Sequence, residues 1–307
     1  MLSRRNFINT TLAAGAALAT QGNAKGTAMA QSKRMIVDAQ AHLWKAESED
    51  WKWVPGRKPQ LPEPFTIEKL VPLMDEGGVD RAVIVPPSWP GDRNDYALEA
   101  AKRYPDRFAV MGRIALQNPE SAALIPKWKE QPGMKGLRLT FQREQAAMLQ
   151  HADWIFPAAE KAGIPIMFFA PDNLPKFGPI AERHPALPLI IDHMGLTLEI
   201  GKERRIAPAI DEAVKLAKYP NVSIKLSSAP NFSQEAYPFR DMTEHLKRCF
   251  DAFGPRRCYW GTDLTNSLAK ATYKQRIEHF TKELSFLSEE DKDWVMGKAI
   301  LARLNWA

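Results

Sequence analysis

Short apolar runs alternate with longer amphipathic stretches along most of this chain. Eight of the runs read as strands: residues 35–39, 81–86, 107–114, 134–140, 164–169, 187–192, 222–227 and 257–262. Most are apolar at successive positions, as strands of a parallel sheet covered on both faces must be. Between them apolar residues recur at helical spacing, for example over 66–77, 94–104, 121–130, 154–162, 206–219 and 242–253. Two further amphipathic stretches, 270–287 and 289–304, finish the chain. Gly77-Gly78 and Gly163 end helices just before strands, and Pro105, Pro185 and Pro220 stop others. Eight strand–helix alternations predict an α/β fold, a TIM-like (β/α)8 barrel in a single domain. The longest irregular stretch, 45–64, follows the first strand and so falls on the face where such barrels carry their sites. With Trp44, Trp51 and Trp53 in and beside it, it reads as a substrate-covering loop, since aromatic rings gain from burial.

The first thirty residues do not fit that alternation. Ser3-Arg4-Arg5-Asn6-Phe7-Ile8, a mildly apolar stretch over 10–20 and Ala28-Met29-Ala30 occur in the order of a twin-arginine export signal with its cleavage site. That order predicts export to the periplasm through the twin-arginine machinery, with the barrel over 31–307. The apolar stretch is too short to serve as a stable membrane anchor across ~30 Å of bilayer. Residues 1–30 hold Arg4, Arg5 and Lys25 and no acid, so without them the formal charge falls from +6 to +3. A charge of +3 with no Lys/Arg-rich run argues against nucleic acid and is compatible with a small anionic substrate. Two cysteines, Cys249 and Cys258, read as small buried residues rather than a disulfide, because pairing needs Cα atoms within about 7 Å.

In such barrels the groups that do chemistry sit at the C-terminal ends of strands. Strand one ends in Gln40 and His42, two positions apart and so able to reach one point. Strand four ends in Arg138, with Arg143 just beyond. Strand six runs into Asp192-His193-Met194-Gly195, strand seven carries Lys225 and ends in Ser227-Ser228, and strand eight ends in Trp260-Gly261-Thr262-Asp263. Five strand ends thus deliver polar groups to one rim. His151, His184, His245 and His279 fall elsewhere and read as surface or structural residues. Asp192 precedes His193 and is expected to face structure, and Lys225 could simply neutralise Asp263.

Residues 37–44, Gly136-Leu137-Arg138-Leu139, Ile191-Asp192-His193-Met194-Gly195, Trp260-Gly261-Thr262-Asp263 and the ending over 297–304 together resemble the amidohydrolase-related family, in the branch of 2-pyrone-4,6-dicarboxylate lactonase and similar lactone hydrolases. The resemblance implies that Asp263 is a general base activating water, and that His42 and His193 polarise a lactone carbonyl. It further implies that Arg138 holds a substrate carboxylate, with Arg143 and Lys225 adding to that anion site. The family usually reads His-x-His on its first strand, and Gln40 replaces the first of the pair. The resemblance to the pyrone lactonase branch implies an enzyme that requires no metal, and Gln40, whose neutral amide is a weak zinc ligand, is consistent with that and joins the implied substrate-binding set. The alternative is a zinc or manganese enzyme that uses His42, His193 and Asp263 as ligands. Leu264-Thr265-Asn266 stands where the family more often shows Trp-Pro, which points to a different substrate loop. The implied substrate is a small anionic lactone of the pyrone dicarboxylate, muconolactone or sulfomuconolactone type. Rival readings are a sugar-acid lactone isomerase, a metal-dependent hydrolase or decarboxylase, and a catalytically silent binder of aromatic acids.

Overall fold

A computed structural model describes residues 33–202 and 205–307, without the side chains of residues 143–145. The export-signal expectation concerns residues outside this range. Eight strands are present: β1 Val37–Ala41, β2 Arg81–Ile84, β3 Phe108–Gly112, β4 Met134–Thr140, β5 Ile166–Phe169, β6 Leu189–Ile191, β7 Val222–Ser227 and β8 Cys258–Gly261. Each pairs in parallel with the next in chain order, and helical segments cross between them. The result is a nearly closed TIM barrel.

Two sets of side chains alternate along the strands, as a pleat with period two requires. Val37, Ala39, Val83, Val85, Ala109, Met111, Met167, Ile190 and Tyr259 form one cluster inside the barrel. Ala299, Ile300, Leu304 and Trp306 from the end of the chain pack onto it. Arg81, at the start of β2, donates to the Ala307 carbonyl at 2.8 Å, so this plug covers the end opposite the strand C-termini. The alternate set, including Ile84, Val110, Leu137, Phe168, Ile191, Ile224 and Trp260, packs outward against the helical layer.

Closure between β8 and β1 uses side chains as well as backbone. Asp38 accepts from the Thr262 amide at 2.8 Å and the Tyr273 hydroxyl at 2.6 Å, while the Asp263 amide donates to the Gln40 carbonyl at 2.9 Å. Gly261 is required here, because a Cβ would sit 3.1 Å from the Gln40 nitrogen and 3.3 Å from the Ser227 Cβ. β1 also shifts register between Asp38 and Ala41. That irregularity turns Gln40 and His42 towards the interior, where they meet Lys225 and Asp263.

Most helical segments begin within two residues of their expected positions. The stretch 121–130 is instead a 3-10 helix over Pro119–Glu130. The last two stretches are each broken by a π-turn, His279–Glu283 and Trp294–Lys298. A helix over Phe177–Arg183 has no counterpart in the periodicity reading. Gly178-Pro179 looks like a break, yet proline is tolerated in a first helical turn, where its missing N–H has no partner to lose. The 45–64 loop packs back on the barrel: Trp44 is fully buried between Phe65 and Trp89, and Trp51 sits edge-on to Tyr96. Cys249 and Cys258 are both buried and free.

Candidate active site

The C-terminal ends of β1, β6, β7 and β8 meet at a cleft of about 300 Å³. His42, Arg138, Phe169, His193, Ser228 and Asp263 line it, and Lys58 and Gln60 of the covering loop close one side. Local backbone geometry is unusual at this rim. Six described non-glycine residues have left-handed φ, and four of them are His193, Met194, Ser228 and Asp263, at 53°, 58°, 65° and 49°. Each such conformation costs about 1 kcal/mol or more for a residue with a Cβ. Here it turns the chain sharply off the strand and brings the side chain over the barrel mouth.

Asp263 is 4% exposed and surrounded by donors. Ser228 Oγ donates to Oδ2 at 2.6 Å, and Asn266 Nδ2 donates to Oδ1 at 2.8 Å. His42 Nε2 lies 3.1 Å from the same Oδ1. Burial opposes ionisation of this carboxyl, but the nearby imidazoles and these hydrogen bonds outweigh it and hold the pKa well below the usual carboxylate range.

The proton positions on His42 follow from its partners. Nδ1 lies 2.7 Å from the Val85 carbonyl oxygen, which can only accept, so Nδ1 carries a proton. Nε2 therefore bonds to Asp263 only when the ring holds a second proton. Gln40 Nε2, at 3.3 Å, can donate to Nε2 only when it does not. The orientation of the Gln40 amide is set on its other side, where Lys225 Nζ, which can only donate, lies 2.5 Å from Oε1. His193 faces the cleft with Nδ1 2.8 Å from Ser227 Oγ and its ring edge-on to Phe169. Burial pushes its pKa down to about 4, with Lys225 and Arg138 adding to the effect against the pull of Asp263 and Asp192. His193 is thus neutral at ordinary pH, and the contacts that keep Asp263 ionised there are those of His42, Ser228 and Asn266.

Beneath the cleft lies a second charged cluster. Asp192, fully buried, has Oδ1 2.8 Å from Lys225 Nζ and Oδ2 3.1 Å from Arg138 Nε. Burial works against its charge, and the two cations overcome that and lower its pKa. Arg138 also donates from Nη1 to Thr140 Oγ1. Lys225 is fully buried and turned to Asp192 and Gln40 rather than to Asp263. Of the residues singled out in the sequence, His42, His193, Asp263 and Arg138 therefore come together at the cleft. Gln40 and Lys225 lie below its floor. Arg143 opens the 3-10 segment Arg143–His151, and its side chain is outside the described residues. Ser228 and Asn266 as partners of Asp263, and Asp192 as the tie between Lys225 and Arg138, went unassigned by sequence reasoning; only the strand-end rule pointed near them.

The same donor set makes a poor metal site. Gln40 turns its only ligating atom to an ammonium and presents its N–H to His42. Among the described residues no group of three or more His, Cys, Asp or Glu is arranged to hold an ion. Catalytic zinc normally takes three protein ligands. The residues here do not fit that requirement.

A family model described as amidohydrolase matches residues 37–302. The chain belongs to the amidohydrolase family. This amidohydrolase is 29% identical over 240 residues to L-fucono-1,5-lactonase of Burkholderia ambifaria, covering 74% of this chain and 79% of that one. It is 27% identical over 232 residues to 4-sulfomuconolactone hydrolase of Hydrogenophaga intermedia, covering 72% and 69%. Its fold superposes on an amidohydrolase of Burkholderia multivorans solved with zinc bound, with a TM-score of 0.72 at 22% identity, covering 88% of this chain and 99% of that one.

Proposed function

We propose that this amidohydrolase hydrolyses the ring ester of a small lactone, with water activated by Asp263 and without a metal. The observation that carries the reading is the constellation at the cleft: a buried, ionised carboxylate in contact with one imidazole, beside a second imidazole kept neutral. Lactone opening needs a base for water, a clamp for the carbonyl oxygen and a proton for the leaving oxygen. Water placed against Asp263 gives up a proton to it as its oxygen attacks the carbonyl carbon. Neutral His193, accepting from Ser227 at Nδ1, directs its Nε2–H at the developing oxyanion. His42, its Nδ1 proton fixed on Val85, is the second donor through Nε2 when the ring holds a second proton. When the tetrahedral adduct collapses, the ring C–O bond breaks and the proton held on Asp263 passes to the leaving oxygen. The product is a hydroxy acid.

An aspartate held so far below the usual range is a weak base. On this reading its basicity rises in the complex, when the lactone oxygen draws the His42 proton away from Oδ1. The two relatives named above act on lactones, which supports the reaction class. With residues 1–30 read as a twin-arginine signal, we place the enzyme in the periplasm.

The test is acid release from a panel of lactones, including L-fucono-1,5-lactone and 4-sulfomuconolactone, before and after chelation. We expect turnover that survives chelation and falls about 10²- to 10⁴-fold in Asp263→Asn with folding intact. Activity lost on chelation and restored by zinc or manganese would assign His42, His193 and Asp263 as ligands instead. An Asp263→Asn variant that keeps most of its turnover would remove the general-base assignment.

A further inference from the structure

Beside the main cleft is a smaller cavity of about 130 Å³, and Arg138 lines both. Its other charged walls are Arg57, Arg113 and Asp92. Arg113 follows directly on β3, and the Asn94 side chain clamps its backbone: Oδ1 accepts from the Arg113 amide at 2.7 Å and Nδ2 donates to its carbonyl at 2.9 Å. The backbone at Arg113 is thus held in place, and the residue is only 5% exposed. Even so, its Nε and Nη1 have no hydrogen-bond partner. Asp92 Oδ1 approaches Nε to 3.5 Å without the geometry of a hydrogen bond. The other two guanidiniums are committed elsewhere, Arg57 Nη1 to the Ser88 carbonyl at 2.9 Å, and Arg138 to Asp192 and Thr140.

Buried donors in folded proteins are almost always bonded, and a buried unpaired cation is among the more costly exceptions. Three guanidiniums face one carboxylate across this cavity. Burial and the repulsion of Arg138 push the Arg113 pKa down to about 10, and Arg57 adds to this, yet the group stays cationic at neutral pH. A buried guanidinium whose Nε and Nη1 are not bonded inside the fold has donor capacity left for an oxyanion such as a carboxylate or sulfonate.

We propose that this side cavity receives an oxyanionic substituent of the substrate, a carboxylate or sulfonate, with Arg113 as its principal hydrogen-bond donor. The lactone ring then occupies the main cleft and its acidic arm reaches past Arg138 into the side cavity. The placement of the ring rests on the hydrolase reading above, while the anion site stands on its own geometry. The consequence is selectivity for lactones that carry an acidic arm over neutral sugar lactones.

The experiment titrates the full-length protein with inorganic sulfate by calorimetry, comparing wild type, Arg113→Met and Arg113→Lys. It also measures KM for 4-sulfomuconolactone and L-fucono-1,5-lactone. We expect sulfate to bind wild type, about tenfold or more weaker in Arg113→Met, and between the two in Arg113→Lys, the loss expected for a charged hydrogen bond. KM for the sulfonated lactone should rise by about the same factor while that for the neutral lactone stays nearly constant. Sulfate affinity equal in wild type and Arg113→Met overturns the proposal, as does an equal rise in both KM values. If Arg113→Met does not fold, Arg113→Lys decides the matter, because a shorter ammonium cannot place its donors where the guanidinium does and must still weaken sulfate. Sulfate binding that depends on Arg113, in a protein that opens no lactone, supports the anion site and removes the hydrolase reading alone.

Discussion

Arg138 and Arg113 close the ends of neighbouring strands, and 8% and 5% of their surfaces are exposed. Arg138 has its Nε 3.1 Å from Asp192 and its Nη1 on Thr140, in a cluster where Lys225, Gln40 and Asp192 answer one another. Arg113 leaves Nε and Nη1 unbonded. The same residue type at the same depth is internally satisfied on the floor of the cleft and unsatisfied in the side cavity. A charge whose partners are all within the fold holds that fold in one arrangement. A charge with unbonded donors, answered only by an ion-pair contact to Asp92 at 3.5 Å, is on our proposal poised for something that arrives from outside. Burial alone therefore does not separate structural from ligand-binding arginines; the census of their donors does.

The largest effect on stability should come from breaking the satisfied side. Lys225→Met leaves Gln40 Oε1 without its donor and the fully buried Asp192 Oδ1 without its ion-pair partner. Removing one partner of such a buried pair typically costs about 3–5 kcal/mol. Urea unfolding of wild type and variant measures this. Adding Asp192→Asn to Lys225→Met should recover part of the loss, because the two residues are directly coupled. A loss under about 1 kcal/mol in Lys225→Met would mean that the cluster does not hold the floor together as described.

The barrel was legible in the chain because its signal is redundant. Eight apolar runs, all but the fifth followed by a recognisable helical stretch, leave few other topologies, and β4 and β7 fall on the expected residues. The rim was legible through one rule, that chemistry sits at strand C-termini, and His42, Arg138, His193 and Asp263 do line one cleft. What the rule cannot give is which way a strand-end side chain is committed. Lys225 and Arg138 look alike in sequence, yet only Arg138 reaches the cleft, because Lys225 lies deeper on β7 and is turned to Asp192. Arg113 was missed although it ends the run 107–114. Its meaning depends on Arg57 from one loop and Asp92 and Asn94 from another, which share no local pattern with it. The left-handed turns at His193, Ser228 and Asp263 were illegible for another reason: tertiary contacts impose them on residues with no strong preference for that conformation.

Acid tests the satisfied side by a second route. His193 and His279 are both buried, and burial first of all brings each pKa down to about 4. In the unfolded chain each takes up a proton near pH 6.5, which the folded chain refuses until about pH 4. The unfolded state thus binds more protons in that window, so stability falls as pH drops from 6.5 to 4, by at most about 1.4 kcal/mol per pH unit for each ring. Asp263 adds to the loss below the ordinary aspartate range, since its folded pKa is depressed and its stabilising charge disappears as that pKa is approached. Urea midpoints across that range check the slope. His279→Phe, which replaces a ring packed edge-on to Phe239 and Phe280, should remove one histidine's share of it. An unchanged slope in that variant would mean that His279 is charged in the folded protein.

The smallest expected change is the one that sharpens the contrast between the arginines. Arg113→Met removes a buried cation whose one ionic partner is the partly exposed Asp92, 3.5 Å from Nε, and it places an apolar chain of similar length against Ile114, Leu116 and Met148. Removing one partner of a buried ion pair is costly when it strands the other charge, but Asp92 is about one-third exposed and can be solvated, while the desolvation of Arg113 is relieved. We expect the unfolding free energy to stay within about 1 kcal/mol of wild type, or to rise. Arg138→Met, which strips a cation from Asp192, should cost more than Arg113→Met under the same conditions. The sign of the difference between the two variants is the decisive quantity, because both remove one guanidinium at similar depth and share the lost packing and side-chain entropy. If Arg113→Met proved the more destabilising of the two, Arg113 would be serving the fold, and its unbonded donors would no longer point to a ligand.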